Sequence, residues 1–256
     1  MGFQSWLRGV FHQPPRPVPP PELLAGIGLG EFAAIGDEFC GIFRDRAGLG
    51  PRERVLDAGC GIGRMAIPLL RVLRRGSYEG FDIVRSSVEW CQQSIQPLHP
   101  RFRFQHVDVY NRFYNPAGTI APTELRFPFE DREFDFVFLT SVFTHMFAPE
   151  VRHYLGEIAR VLRPGGRVLA TFFILDRLAL DAVDRGKSSI GFHQAWEHGR
   201  IADPENPEMA VGYNPEWVTA SIAASGLVLR DPILYGNWCE RGEHVSYQDI
   251  VIADRR

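Results

Sequence analysis

The chain has 256 residues, of which 45% are hydrophobic and 23% charged, a composition typical of soluble globular proteins. Its net charge of −3 at pH 7 gives no basic footprint for nucleic acid, and it contains no run of about 18 apolar residues that would predict a membrane span. Four cysteines without a CxxC pair argue against a zinc ribbon and a disulfide framework, so we expect a cytoplasmic protein. The length of the chain predicts one or two domains.

The first 22 residues differ in character from the rest of the chain. Apolar side chains at helical spacing predict one amphipathic stripe: Phe3, Trp6, Leu7, Val10 and Phe11. The sequence "PPRPVPPPE" that follows disfavours helix and inner strand and predicts an extended arm. We expect this segment, 1–22, to dock on its own domain. The alternatives are contact with a partner or a second subunit, and weak contact with a membrane surface. We assign 23–256 to the main domain.

Strands and helices alternate from residue 55 onward. The predicted strands are "RVLDAG", "SYEGFD", "FRFQHVDV", "EFDFVFLT" and "GRVLATFFIL", and the predicted helices between them are "GRMAIPLLRVLRR", "VRSSVEWCQQSI" and "PEVRHYLGEIARVL". A helix over "EFAAIGDEFCGIFRDRAGL" precedes this series; a helix from Asn214 to Gly226 and the strand-like runs "LVLRDPILYG" and "YQDIVIA" follow it. The alternation predicts a parallel α/β sheet. Two irregular stretches, 109–132 and 176–213, interrupt it, and the second is predicted to be a lid.

The stretch "VLDAGCGIGRMA" over 55–66 combines a strand, a glycine turn and a helix start. Its alternating glycines, which allow backbone to approach a ligand closely, are Gly59, Gly61 and Gly63. The loop lacks the Gly-Lys-Ser/Thr of a phosphate-binding P-loop. Arg64 occupies the third glycine position of a dinucleotide fingerprint, which disfavours that class of ligand.

The pattern Asp57-x-Gly59-x-Gly61-x-Gly63 resembles motif I of the class I S-adenosylmethionine-dependent methyltransferases. Further segments similar to that family's motifs follow in order: "GFDIV", "HVDVY", "FDFVFLTSVFTHM" and "ARVLRPGGRVLATFF". The resemblance covers roughly 50–175. It implies a Rossmann-like α/β sheet of seven strands, the last antiparallel, with helices on both faces and S-adenosylmethionine as the cofactor.

The resemblance also implies roles for individual residues. Asp82 would bind the ribose hydroxyls, with a helix cap as the alternative, and Asp108 would accept from the adenine amino group, with a place in a surface turn as the alternative. Asp57 would contact the cofactor or its loop, and Arg64 either clamps the cofactor or packs at the helix start. The other positions expected to contact the cofactor are Gly59, Gly61, Gly63, Ile83, Val109, Thr140 and Ser141.

His145 in "TSVFTHM" is the candidate catalytic residue, because imidazole can take a proton from a hydroxyl near neutral pH. The alternative is a structural histidine that fixes the pocket. No metal is expected, since Asp176 has no convincing companion and the spacing of His193 and His198 does not suit one helix face.

Methyl transfer to a small-molecule or saccharide acceptor, most simply at oxygen, is therefore the predicted function. Nitrogen or protein methylation, and a non-catalytic relative that acts through its N-terminal arm, remain alternatives. A homo-oligomer is left open. Aromatic residues that would form a wall for a sugar or ring, or else pack in the core, are Phe172, Phe173, Trp196, Tyr235, Trp238 and Tyr247.

Overall fold

The computed structural model describes residues 16–24 and 30–256. The predicted apolar stripe of residues 3–11 lies outside the described residues. Residues 16–20 have no regular secondary structure, and α1 (Pro21–Leu24) is a short helical turn within the stretch that was predicted to disfavour helix. A proline can begin a helix because the first N–H groups have no helical partner. Arg16 donates to Asp37 at 2.9 Å, which joins this segment to the main domain.

The described residues contain one sheet of ten strands. In chain order these are β1 (Arg54–Ala58), β2 (Ser77–Asp82), β3 (Phe102–His106), β4 (Phe134–Leu139), β5 (Leu162–Ile174), β6 (Gln194–Trp196), β7 (Gly199–Ile201), β8 (Val211–Tyr213), β9 (Leu227–Leu229) and β10 (Asp249–Arg255). Five parallel strands run in the order β3-β2-β1-β4-β5, and β10 pairs antiparallel with β5 and β9. These seven strands confirm the predicted Rossmann-like sheet with an antiparallel last strand.

Helices cover both faces of this sheet. They are α2 (Phe32–Asp45), α3 (Ala66–Leu69), α4 (Arg85–Ser94), α5 (Ala148–Val161), α6 (Arg177–Asp184) and α7 (Pro215–Ala224). Successive strand side chains point to opposite faces. Val55 and Phe136 accordingly join the core beneath α2, α3 and α4, while Leu56 and Val137 join the core beneath α5 and α7. The central strands are therefore buried on both sides.

The helix after the glycine loop is shorter than predicted. The sequence pattern predicts a helix over 63–75, but α3 occupies only four residues and gives way to turns. Pro68 lies inside α3 and has no N–H, so it cannot donate to the carbonyl of Arg64. That carbonyl instead lies against Gly36 of α2, where an added Cβ would be 2.5 Å from the oxygen. The missing donor thus interrupts the helical hydrogen-bond pattern at the start of α3, where α2 approaches closely.

The segment 176–213 is more regular than predicted. After α6, β6 and β7 form an antiparallel hairpin, β7 pairs antiparallel with β8, and β8 runs parallel to the end of β5. Each of these strands has only three residues, too few for a period of two to be recognised in sequence. The predicted lid therefore consists of α6 followed by three short strands that extend the sheet.

Candidate functional site

Backbone hydrogen bonds fasten the glycine loop to the end of β2. Gly59 N and Cys60 N both donate to Phe81 O, at 2.9 and 3.0 Å, and Gly61 N donates to Asp82 Oδ2 at 2.7 Å. The carboxyl ends of neighbouring parallel strands meet at one edge of a sheet, where α/β proteins bind their ligands. The structure therefore brings the predicted residues of β1 and β2 together at that edge.

The three glycines of the loop have different surroundings. All have positive φ: +98° at Gly59, +49° at Gly61 and +73° at Gly63. An added Cβ at Gly59 would lie 2.4 Å from Val142 Cγ2, and one at Gly63 would lie 2.8 Å from Ile95 Cδ1. At Gly61, by contrast, no heavy atom of the described residues lies within 4 Å of that position. Gly59 and Gly63 thus permit close packing, and Gly61 leaves backbone open to a ligand.

The Asp82 carboxylate accepts a hydrogen bond from the glycine loop and has lone pairs left for a ligand. It is 9% exposed, and its second oxygen accepts from Val84 N at 2.8 Å, in the turn before α4, which has no side-chain cap hydrogen bond among the described residues. Burial raises the pKa of its carboxyl, an effect that the backbone N–H groups of Val84, Gly61 and Ile83 oppose. A carboxylate offers about four lone-pair sites, and two are used here.

Asp57 lies in β1 just before the glycine loop and is more deeply buried than Asp82. Its Oδ2 accepts from the Tyr78 hydroxyl at 2.6 Å, while Oδ1 has no hydrogen-bond partner within the described residues. Burial raises the pKa of this carboxyl to about 8; the Tyr78 hydrogen bond lowers it and the charge of Asp82 raises it further. An unpaired buried oxygen is costly, which makes Asp57 a candidate ligand-binding group.

We expect Asp57 to make stability fall as pH rises from about 7 to about 8. Unfolded Asp57 has lost its proton at these values whereas the folded carboxyl keeps it, so rising pH favours unfolding by at most about 1.4 kcal/mol per pH unit. This range lies above the pKa of Asp249, which burial raises to about 6. Urea unfolding at both pH values should show this slope in the wild type and its loss in Asp57→Asn.

Asp37→Asn is the matched control for this experiment. Its hydrogen bond with Arg16 lowers the pKa of the Asp37 carboxyl, so this group is ionised throughout the same range. The control should keep the wild-type slope. An unchanged slope in Asp57→Asn would contradict the assignment of this titration to Asp57.

Asp108 lies in the loop after β3 because that strand ends at His106, three residues earlier than predicted. Thr119 Oγ1 donates to Asp108 Oδ2 at 2.7 Å, and this bond is the main reason why the pKa of the carboxyl is lowered. Val109 is buried and pairs with Ile120. Asp108 and Val109 therefore close a loop over 109–120, and adenine binding by Asp108 stays a prediction.

Arg64 and Ile83 flank the glycine loop. The Arg64 guanidinium lies over the Phe32 ring of α2, 5.9 Å from its centre, and burial lowers its pKa. The carbonyl of Ile83 accepts from His106 Nε2 at 3.1 Å. Arg64 thus packs at the helix start, which is the structural alternative, and its contact with a cofactor stays a prediction.

Thr140 and Ser141 follow β4 at the same edge. Ser141 has a φ of +57°, uncommon for a residue with a side chain, and its N–H donates to Thr171 Oγ1 at 2.8 Å. Its hydroxyl donates to Gln248 Oε1 at 3.0 Å. Backbone strain of this kind is often kept at functional sites. Gln248, which stands just before β10, joins this edge although its sequence context gives no signal for it.

His145 ends a 3₁₀ helix, Phe143–His145, just after this turn. Its Nδ1 lies 2.9 Å from the backbone oxygen of Glu208, and the Tyr114 ring meets it edge-on at 5.7 Å between centres. Burial lowers the pKa of the imidazole. Glu208 also binds Asn111, because its side-chain Oε2 accepts from Asn111 Nδ2 at 2.8 Å. Sequence reasoning missed Asn111 and Glu208, because two irregular segments 97 residues apart carry no common pattern.

The remaining candidates serve structural roles. Asp176 caps α6 by accepting from Ala179 N at 2.9 Å and also pairs with Arg241. A cleft of about 550 Å³ opens beside it, between α6 and α7, and does not include the glycine loop. No group of three or more potential metal ligands occurs within residues 16–24 and 30–256.

The aromatic residues expected to form a wall divide into two groups. Phe172, Phe173 and Trp238 are 1%, 3% and 0% exposed, which is the core-packing alternative. Trp196 packs edge-on against Phe147, and its partner in the predicted lid, His198, stacks on Trp217 at 5.3 Å.

No helix in the described part of the chain is long and apolar enough to cross a membrane.

Comparison with known proteins agrees with this geometry. Residues 55–166 match the family model described as "Methyltransferase domain". The chain is 34% identical over 119 residues to the phthiotriol/phenolphthiotriol dimycocerosates methyltransferase 1 of Mycobacterium ulcerans, which covers 46% of this chain and 37% of that protein. It is 33% identical over 121 residues to a fatty-acid O-methyltransferase of Mycolicibacterium smegmatis, covering 46% and 36%. The chain thus spans little more than a third of these relatives.

Solved structures extend the likeness of the fold to nearly the whole chain. The PH0226 protein of Pyrococcus horikoshii aligns with a TM-score of 0.60 at 16% identity, covering 90% of this chain and 94% of that one. The magnesium protoporphyrin IX methyltransferase of Synechocystis, solved with bound SAH, aligns with a TM-score of 0.56 at 17% identity and covers 91% of each chain. Residues 55–166 are thus similar to a methyltransferase domain, and the described chain shares its fold with these solved structures.

Proposed function

We propose that the chain transfers a methyl group from S-adenosylmethionine to an oxygen atom of a small-molecule acceptor, with His145 as the base that takes the acceptor's proton. The observation that carries this proposal is the bond between His145 Nδ1 and Glu208 O at 2.9 Å. A carbonyl oxygen only accepts hydrogen bonds, so Nδ1 must carry the hydrogen and Nε2 the lone pair. Because burial lowers the pKa of the imidazole, the neutral, proton-accepting form prevails near neutral pH.

The residues at the sheet edge fit the cofactor. When bound, S-adenosylmethionine supplies a methyl group on a positively charged sulfur. The backbone at Gly61 is open to a ligand, and an ammonium group beside the unpaired Oδ1 of Asp57 would lower the pKa of that carboxyl, so that it ionises and accepts the hydrogen bond. Asp82 has lone pairs left for ribose hydroxyls, and Asp108 is the proposed adenine contact. Ser141 and Thr140 would line the side toward the acceptor.

Two of the relatives support a small-molecule acceptor. Their names give lipids as substrates, a phthiotriol dimycocerosate and a fatty acid, and the second name specifies transfer to oxygen. The methyltransferase GfsG of Streptomyces halstedii is 28% identical over 176 residues, covering 66% of this chain and 56% of that protein. A hydroxyl acceptor must lose its proton to a base, and among the residues gathered at this edge His145 has the chemistry for it.

Titration calorimetry followed by a transfer assay tests the proposal. We expect S-adenosylmethionine and S-adenosylhomocysteine to bind and NAD to give no heat. Methyl-labelled cofactor should then label a hydroxyl- or carboxyl-bearing acceptor from a small-molecule panel. Binding of NAD without binding of either adenosyl compound would overturn the cofactor assignment. Labelling confined to amines or to protein would overturn the oxygen acceptor.

A further inference from the structure

Two loops meet beside His145 through Glu208. The first is the loop over 109–120, and the second is the 3₁₀ helix Pro207–Met209. Glu208 Oε2 accepts from Asn111 Nδ2 at 2.8 Å and from Arg112 N at 3.3 Å. Since the backbone oxygen of Glu208 binds His145, one residue couples the loop to the proposed base.

The polar groups of the first loop are largely used within it. Asn111 Oδ1 accepts from Phe113 N at 3.0 Å and from Tyr114 N at 2.8 Å. The backbones of Asn111 and Asn115 exchange hydrogen bonds at 3.1 and 3.0 Å, and Asn115 Nδ2 donates to Val109 O at 2.9 Å. A loop braced in this way holds its side chains in fixed directions and offers few free polar groups to a ligand.

Large apolar side chains are nevertheless exposed where the two loops meet. Phe113 is 66% exposed, Tyr114 40% and Met209 50%. Phe113 and Tyr114 pack edge to face with ring centres 5.0 Å apart, and Tyr114 in turn contacts His145. We refer to Phe113, Tyr114 and Met209 as the apolar rim. Clustered apolar exposure next to a site is characteristic of ligand-binding surfaces.

The charge of Asp82 at the sheet edge also acts on Tyr114 of the apolar rim. Burial raises the pKa of the Tyr114 hydroxyl, and the charge of Asp82 adds to the effect. Tyr114 therefore lies within the electrostatic influence of the proposed ribose-binding residue while its ring touches the proposed base.

We propose that the apolar rim binds the hydrocarbon part of the methyl acceptor, so that the acceptor is a molecule with an aliphatic chain that presents a hydroxyl group to His145. This inference rests on the proposed function and names its substrate class. A saccharide would need hydrogen-bonding groups along its length, and the loop's own bonds occupy most of those groups here. An alkyl chain requires none, and its burial would cover the exposed rings.

The test is titration of dodecanoate, and of maltose as the saccharide probe, into the protein saturated with S-adenosylhomocysteine. We expect dodecanoate to bind and maltose not to bind. Decanoate and octanoate should bind progressively more weakly, by about threefold for each methylene group removed, as burial of an alkyl chain requires. Binding of maltose but not dodecanoate, no binding of either probe, or an affinity independent of chain length would each overturn the inference.

Paired variants locate the binding surface. The double variant Phe113→Ser, Met209→Ser should lower the affinity for dodecanoate at least about tenfold. The control Leu98→Ser removes an equally exposed apolar side chain (59%) from the turn before β3 and should leave that affinity unchanged. Tyr114 is retained because it contacts His145. Equal affinities in all three proteins would overturn the assignment to the rim. Heat on adding S-adenosylhomocysteine to each protein confirms folding; its absence in the wild type would mark failure of the proposed function.

Discussion

Replacement of His145 by alanine is expected to lower kcat by about 10²- to 10⁴-fold, the usual contribution of a positioned general base. The affinity for S-adenosylmethionine should stay within about twofold, because the glycine loop is fastened to β2 by Gly59, Gly61 and Asp82 and not by His145. Steady-state kinetics gives the first quantity and calorimetry the second.

Two further variants separate the proposed base from a structural histidine. Asparagine at position 145 can still donate to Glu208 O but cannot accept a proton, so His145→Asn should be as slow as His145→Ala. Near wild-type turnover in His145→Asn would instead assign His145 the structural role. His153→Ala is the matched control, since His153 Nε2 also donates to a backbone oxygen, that of Leu125 at 2.7 Å, but lies on α5.

The dependence of the rate on pH follows from the same assignment. A base must be unprotonated, so the wild-type rate should rise with pH through the pKa of His145 and then level off. Burial lowers that pKa below its ordinary value of 6.5, which places the rise on the acidic side. In His145→Asn this limb of the profile should disappear. A persisting limb would indicate that a different group titrates.

Prediction from sequence succeeded where local pattern and chain order carry the information. The second strand was predicted as "SYEGFD" and is β2, Ser77–Asp82, because a short buried strand followed by an acidic residue has few alternatives in an alternating α/β chain. The position of Asp82 at the sheet edge follows directly from this boundary. The parallel core and its antiparallel last strand likewise follow from the order of elements.

Contacts between irregular segments were not predictable. The Glu208 bonds to Asn111 and His145 depend on how two loops pack, and neither loop has a periodicity that reveals the other. The close approach of Val142 to Gly59 is of the same kind: the glycine could be assigned a turn from its sequence, but not the side chain that packs against it. The proposed base was therefore recognisable as a residue type, whereas the bond that sets its tautomer was not.

Gly59→Ala is the second variant with a large expected effect. At a φ of +98° a side chain is strained, and the new Cβ would lie 2.4 Å from Val142 Cγ2, so one of the two segments must move. Strain and overpacking together should lower the free energy of unfolding by about 3 kcal/mol. Cofactor affinity should fall at least about tenfold, since the Gly59 and Cys60 N–H bonds to Phe81 O set the position of the loop.

Gly41→Ala and Gly61→Ala complete this experiment. Gly41 lies within α2, and no other part of the described chain comes within 4 Å of an added Cβ there, so the same extra methyl group should stabilise the protein by up to about 1 kcal/mol. Gly61 also has space for a Cβ, but its φ is +49° and its open side is the proposed cofactor surface. Urea unfolding and calorimetry should therefore show a larger loss of cofactor affinity than of stability in Gly61→Ala, and losses of both in Gly59→Ala. If Gly61→Ala binds S-adenosylmethionine as the wild type does, the cofactor does not approach this glycine, and the ligand-facing role falls to another part of the loop.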